Sequence, residues 1–338
     1  MTVIADPGPP GYRAIAVLYN AWMTGLVLSL VSRRGAAVAR EFVFRHFRQQ
    51  HLEKFLPGLK KLGLDGLPHP VACALYHYHS NALGGVKTEY FRESDRKAWV
   101  RYPPPRWIWR GTAICAIPRE VNEAMLHGWH GHNGVSLGNP RLGFVCTGQT
   151  VEGDAGLEGY YFEYDHPLDE RERVRFVKNE RMPHVEAKDL PGLETAAWPP
   201  ERLQKTHRSY AMEYVRTFMP VLTEQLGSIM AMGEIGRTAR LIGMQYFDET
   251  CAQVGAGSFG SYLAAMLAAQ GEQVSLDGAT LHQDGWRLMR GVYFAHAVAR
   301  EASLMAWSEL WHGALLAHDR RRHLAVEMTG ERITWTIS

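Results

Sequence analysis

The tripeptide Trp129-His130-Gly131 recurs as Trp311-His312-Gly313, 182 positions later. At the same offset, without gaps, Leu142 matches Leu324 and Thr147-Gly148 matches Thr329-Gly330. Self-similarity at a fixed spacing means that one supersecondary unit is used more than once, so it constrains the fold before any motif does. Upstream, Val86 to Trp99 and Val274 to Trp286 both read as short strands joined by polar turns. Before them, Pro70 to Leu83 and Phe259 to Gln270 read as short helices, the second with Tyr262, Met266 and Ala269 at helical spacing. Long helical patterns precede these at Ala36 to Leu62 and Arg208 to Val254. A break is expected near Pro57, and a bend or break at Pro220 and around Gly227 to Gly236. The closing strands are Leu142 to Cys146 with Gly159 to Tyr164, and Leu324 to Met328 with Ile333 to Ile337.

Runs of helices with antiparallel strands give an α+β class. The expected architecture is two pseudo-repeated halves, 1–185 and 186–338, each with long helices packed on a small antiparallel sheet. The connector from Asp165 to Pro200 is charged and proline-bearing, which suits a solvated linker with one short strand at Val174 to Val177. The first half is longer between its matched tryptophans and carries Tyr102-Pro-Pro-Pro-Arg-Trp-Ile-Trp-Arg110.

Composition narrows the class. A formal charge of +2 on 338 residues lacks the basic excess of a nucleic-acid binder. The four cysteines, Cys73, Cys115, Cys146 and Cys251, form no CxxC pair, so a zinc ribbon or redox pair has no support. Reduced thiols and a cytoplasmic setting are expected. The most apolar run, Ala21 to Val31, falls short of the roughly 20 residues of a membrane span. No basic region precedes an apolar one at the N-terminus, so no secretory signal is expected.

The second half, roughly 207–338, resembles the 4-vinyl-reductase-type small-molecule-binding fold and is similar to the L-2-amino-thiazoline-4-carboxylic acid hydrolase family. The residues carrying this likeness are Gly227 to Gly236, Gly271-Glu-Gln-Val274, Leu310-Trp-His-Gly313, Leu324-Ala-Val-Glu327 and Gly330-Glu-Arg-Ile-Thr-Trp-Thr-Ile337. Met328 and Trp335 stand where many vinyl-reductase-type domains carry cysteines. The resemblance implies a pocket between helices and sheet for a small aromatic or heterocyclic molecule.

The densest chemistry is Glu123-Ala-Met-Leu-His127-Gly-Trp-His130-Gly-His132-Asn133. On a continuous helix Glu123, His127 and His130 fall at i, i+4 and i+7, one face. Two imidazoles and a carboxylate there would suit one divalent metal: iron, zinc or manganese. The second half offers Glu309-Leu-Trp-His312, an E-x-x-H spacing that also serves di-iron sites. His130 has a counterpart in His312 and so has a structural reading at a helix end. His127 and His132 do not repeat, because Glu309 and Ala314 stand at their places. Tyr76-His77-Tyr78-His79-Ser80-Asn81 places His77 and Asn81 on one helix face, a candidate base beside the His127 cluster. Trp107 and Trp109, stiffened by the prolines before them, are candidates to stack on a flat ligand, with Asn133 beside the cluster.

The expected function is small-molecule enzymology: hydrolytic or ring-opening chemistry on a small cyclic or aromatic substrate. His127, His130, His132 and Glu123 would carry it, with or without a metal, through a histidine that takes a proton from water. The alternative is a protein that binds an aromatic effector or hydrophobic ligand without catalysis. The implied partner is a small molecule, with no nucleic acid and no membrane; self-association is left open.

Overall fold

The structure, a computed structural model, describes residues 2–104 and 116–338. They form two compact units, 2–29 with 199–338, and 30–104 with 116–198. The chain passes between units at 198/199 rather than at 185/186, and its first residues belong with the later unit. The class is α+β, with one five-stranded sheet in each unit.

The unit spanning 30–198, here the histidine unit, contains α2 (Ala36–Lys61), α3 (His69–Leu83), β2 (Glu89–Ser94), β3 (Lys97–Tyr102), α4 (Arg119–Gly128), α5 (Asn133–Ser136), β4 (Leu142–Gly148), β5 (Leu157–Glu163) and β6 (Val174–Phe176). Its sheet order is β2-β3-β5-β4-β6, antiparallel except for β4 with β6. The other, here the tryptophan unit, contains β1 (Thr2–Val3), α1 (Pro9–Arg34, assigned here through Ser29), α6 (Pro200–Leu226), α7 (Ser228–Val254), α8 (Phe259–Ala269), β7 (Val274–Asp277), β8 (Thr280–Asp284), α9 (Ala297–His318), β9 (Leu324–Thr329) and β10 (Arg332–Ile337). Its order is β1-β7-β8-β10-β9. Omitting β6 and β1, the sheets share one connectivity: hairpin, helix, hairpin, with the last strand inserted between the second and third.

The local differences from expectation have physical causes. α2 runs through Pro57 unbroken; Phe55 and Leu59 on either side are buried, and their packing outweighs one lost backbone hydrogen bond. The long pattern at 200–254 is interrupted at Gly227, whose φ of 78° suits glycine, and not at Pro220, which lies inside α6. The connector is not simply solvated. Met182 is buried with Trp99, Val145 and Tyr160, and Val177 and Val185 pack beside it. These residues cover one face of the histidine unit's sheet, which explains why every residue of β4 is buried. β6 lies within the expected short strand.

α1 is the one described helix long and apolar enough by length and composition to cross a membrane, with a mean hydropathy of 1.8 over its best window. That window is 61% buried inside the protein. Tyr19 and Trp22 are wholly buried in the tryptophan unit: Tyr19 donates to Gln270, accepts from the Trp307 indole at 2.9 Å, and Trp22 meets Phe218 edge-on. Trp307, Trp311 and Trp335 complete this core. Helices α7 and α9 cross at backbone contact distance: a Cβ on Gly243 would lie 2.0 Å from the Leu310 carbonyl oxygen, and one on Gly313 2.0 Å from that of Arg240.

Candidate functional site

The histidine unit brings His77 and His130 together. α3 carries His77 inward, with Asn81 one turn later bonding back to the His77 carbonyl. α4 stops at Gly128, where Arg48 of α2 holds the terminal carbonyls of His127 and Gly128, and where a Cβ would lie 2.6 Å from the Phe44 carbonyl oxygen of α2, so that only glycine fits. The chain then tightens into a 3-10 turn over His130–His132, which swings His130 into the core.

There the imidazole of His130 lies parallel to that of His77, with centroids 4.3 Å apart and planes 7° apart. Phe144 of β4 packs on it at 4.4 Å. Tyr161 of β5, fully buried, has its hydroxyl 2.6 Å from His130 Nδ1 and 3.0 Å from Asn133 Nδ2. Asn133 donates to the phenol oxygen, and the phenol and His130 Nδ1 share a second hydrogen bond. Burial raises the Tyr161 hydroxyl well above the usual phenol range.

A second group adjoins the first. His51 of α2 has Nε2 2.9 Å from Ser136 Oγ, stacks on Phe55, and meets Trp129 and His132 edge-on. Trp129 in turn lies 5.9 Å from His77 and 6.2 Å from Tyr76. Burial, reinforced by His132 and Arg48, pushes His51 down to about 3. Burial, with Arg48 and Arg173, takes His132 to about 4. Both rings are therefore neutral at physiological pH. Among the described residues, His51 Nδ1, His132 Nδ1 and Trp129 Nε1 are buried with no hydrogen-bond partner.

The expected metal face is not assembled. Because α4 ends at Gly128, His130 leaves the face that Glu123 and His127 share. Glu123 pairs with Arg119 and accepts from Gln149 at 3.2 Å. His127 faces Phe176 at 6.0 Å, and burial lowers its pKa. Among the described residues, no group of three or more His, Cys, Asp or Glu is arranged to hold a metal ion. The E-x-x-H pair is committed elsewhere as well. Burial opposes ionisation of Glu309, but His312 and Arg240 outweigh it and hold the carboxyl at about 2, while His312 Nε2 donates to the Leu324 carbonyl at 2.7 Å.

Cys146 is a buried thiol whose pKa burial pushes up to about 12, in keeping with an inert side chain. Trp107 and Trp109 lie outside the described residues. His51 and Tyr161 were not singled out from sequence, although Tyr161 sits in a closing strand that was; Trp129 was read only as part of the repeat and Cys73 only as one of four thiols. Cys73 adjoins Asn133, and burial raises its thiol to about 12.

No protein-family model, no curated protein and no solved structure matches the chain.

Proposed function

We propose that the histidine unit binds a small, flat, largely apolar molecule, and that its buried imidazoles and phenol serve recognition. One comparison within the chain carries this reading. Tyr161 pairs with Phe144 and Ala98 across its sheet; Trp335 pairs with Val326 and Leu281 at the same place in the other sheet. Counting back from the left-handed glycines that end α3 and α8, Gly85 and Gly271, His77 matches Leu263. The connectivity is thus served in one unit by Trp335 and Leu263, both fully buried, and in the other by a phenol and an imidazole. Burying polar rings costs free energy that an apolar core avoids, so folding alone does not account for them. The three unpartnered ring nitrogens leave hydrogen-bonding capacity for a heterocyclic or phenolic ligand.

Thermal shift against one- and two-ring aromatics, including phenol, indole and quinoline, followed by calorimetry, tests this reading. At least one should bind the parent, and His77→Leu or Tyr161→Phe should weaken it. If none binds, or both variants bind as the parent does, the proposal is wrong.

The 2.6 Å phenol–imidazole contact favours a second reading, in which His130 and Tyr161 pass a proton to a cyclic substrate during ring opening. Chromatographic detection of thiazoline ring opening, abolished by Tyr161→Phe in a protein that still folds, separates catalysis from binding alone.

A further inference from the structure

Helix α7 shows an unusual outer face. Among the described residues, five of the twelve exposed large hydrophobic side chains lie on this helix, Ile229, Met230, Met232, Leu241 and Met244, and three of them, Met230, Leu241 and Met244, share its outer face. Its opposite side is buried against α9, where Gly236, Gly243 and Gly313 let the backbones meet. At 100° per residue, Met230, Arg237, Leu241, Met244 and Asp248 fall in one narrow stripe, flanked by Gly233 and Ala252. Single exposed apolar residues are ordinary, but a stripe of them along a helix marks an association surface.

The order of residues along the stripe identifies what fits it. Read in the two directions about its midpoint, between Ile242 and Gly243, the stripe is complementary to itself. Leu241 falls opposite Met244, Arg237 opposite Asp248, and the small Gly233 opposite the small Ala252. A second α7 laid antiparallel therefore meets apolar with apolar at the centre and places opposite charges at both ends. Two-fold symmetry makes every such pairing twice. An Arg and an Asp within the stripe would be poorly matched to the hydrocarbon of a bilayer, where unpaired charges are costly. Arg237 stands 3.9 Å from Glu234 on its own helix and is half exposed, so it is only loosely held within the chain. Arg240, beside the stripe, is tied to Glu309 and adds no competing charge.

We propose that this chain forms a two-fold dimer through antiparallel pairing of α7, with Leu241 and Met244 at the centre and Arg237–Asp248 pairs at the ends. The dimer lies wholly in the tryptophan unit and is independent of ligand binding.

Sedimentation analysis of the full chain over a micromolar concentration series tests the proposal, with circular-dichroism melting to show that each variant folds. The parent should sediment as a dimer. Leu241→Glu should be monomeric. Arg237→Glu alone should weaken the dimer by at least about a hundredfold, because like charges then meet at both ends. Combining Arg237→Glu with Asp248→Arg restores opposite charges and should restore the dimer. A parent that stays monomeric overturns the proposal, as does a dimer that survives Leu241→Glu. Failure of the double exchange to recover association overturns the antiparallel register.

Discussion

Replacing His46 by leucine should flatten the dependence of stability on acidity. His46 is completely buried on α2, between Phe42 at 5.8 Å and Phe47 at 5.0 Å. Burial drives its pKa down from 6.5 to about 3. Above pH 6.5 the imidazole is neutral in both folded and unfolded chains and contributes no slope. As pH falls below 6.5, the unfolded chain takes up a proton that the folded chain refuses, so stability is lost progressively until the pH nears 3. The slope from one such histidine is about 1.4 kcal/mol per pH unit, which integrates to roughly 2 kcal/mol between about pH 7.5 and about pH 5. Other titrating groups contribute equally to parent and variant, so the difference between the two isolates His46. Urea unfolding of both proteins across that range, followed by circular dichroism, gives the comparison. The leucine variant should lose less stability on acidification by that amount. Parallel curves would show that His46 titrates normally in the fold and would refute the argument from burial.

Two further predictions concern packing and reactivity. Gly313→Ala should lower the melting temperature by the equivalent of about 3 kcal/mol or more, because its methyl meets the Arg240 backbone, which cannot rotate aside; an unchanged melting curve would show that α7 and α9 are not in backbone contact. Cys73 and Cys146, both buried and pushed up to about 12, should resist a chromogenic disulfide reagent until the chain unfolds; rapid native labelling of either, located by mass mapping, would contradict their burial.

Much of the fold was legible because its signals are local. The φ-positive glycines, the alternating strands and the helical spacing of α8 depend on near neighbours, and the strands lie close to where periodicity puts them. α1 was not read as an element, because a helix apolar nearly all round shows no polar face and therefore no period. The site was half legible. His77, His130, His132 and Asn133 were chosen by residue type and come together. Glu123 and His127 were joined to His130 by extending one helix two residues too far, past Gly128, where α4 ends. Tyr161 and His51 reach the cluster from β5 and α2, across sequence separations that periodicity does not encode.

The first strand and helix have a consequence for the order of folding during synthesis. β1 pairs with β7, Tyr19 bonds Gln270, and Trp22 packs on Phe218. All three partners leave the ribosome long after residues 2–29 do. The histidine unit can fold while the chain is still being made, but the apolar α1 must wait for it to finish with its surface uncovered. Slowing translation past residue 199 should prolong that exposure rather than assist folding, because Trp307, the last of Tyr19's partners, is made near the end of the chain.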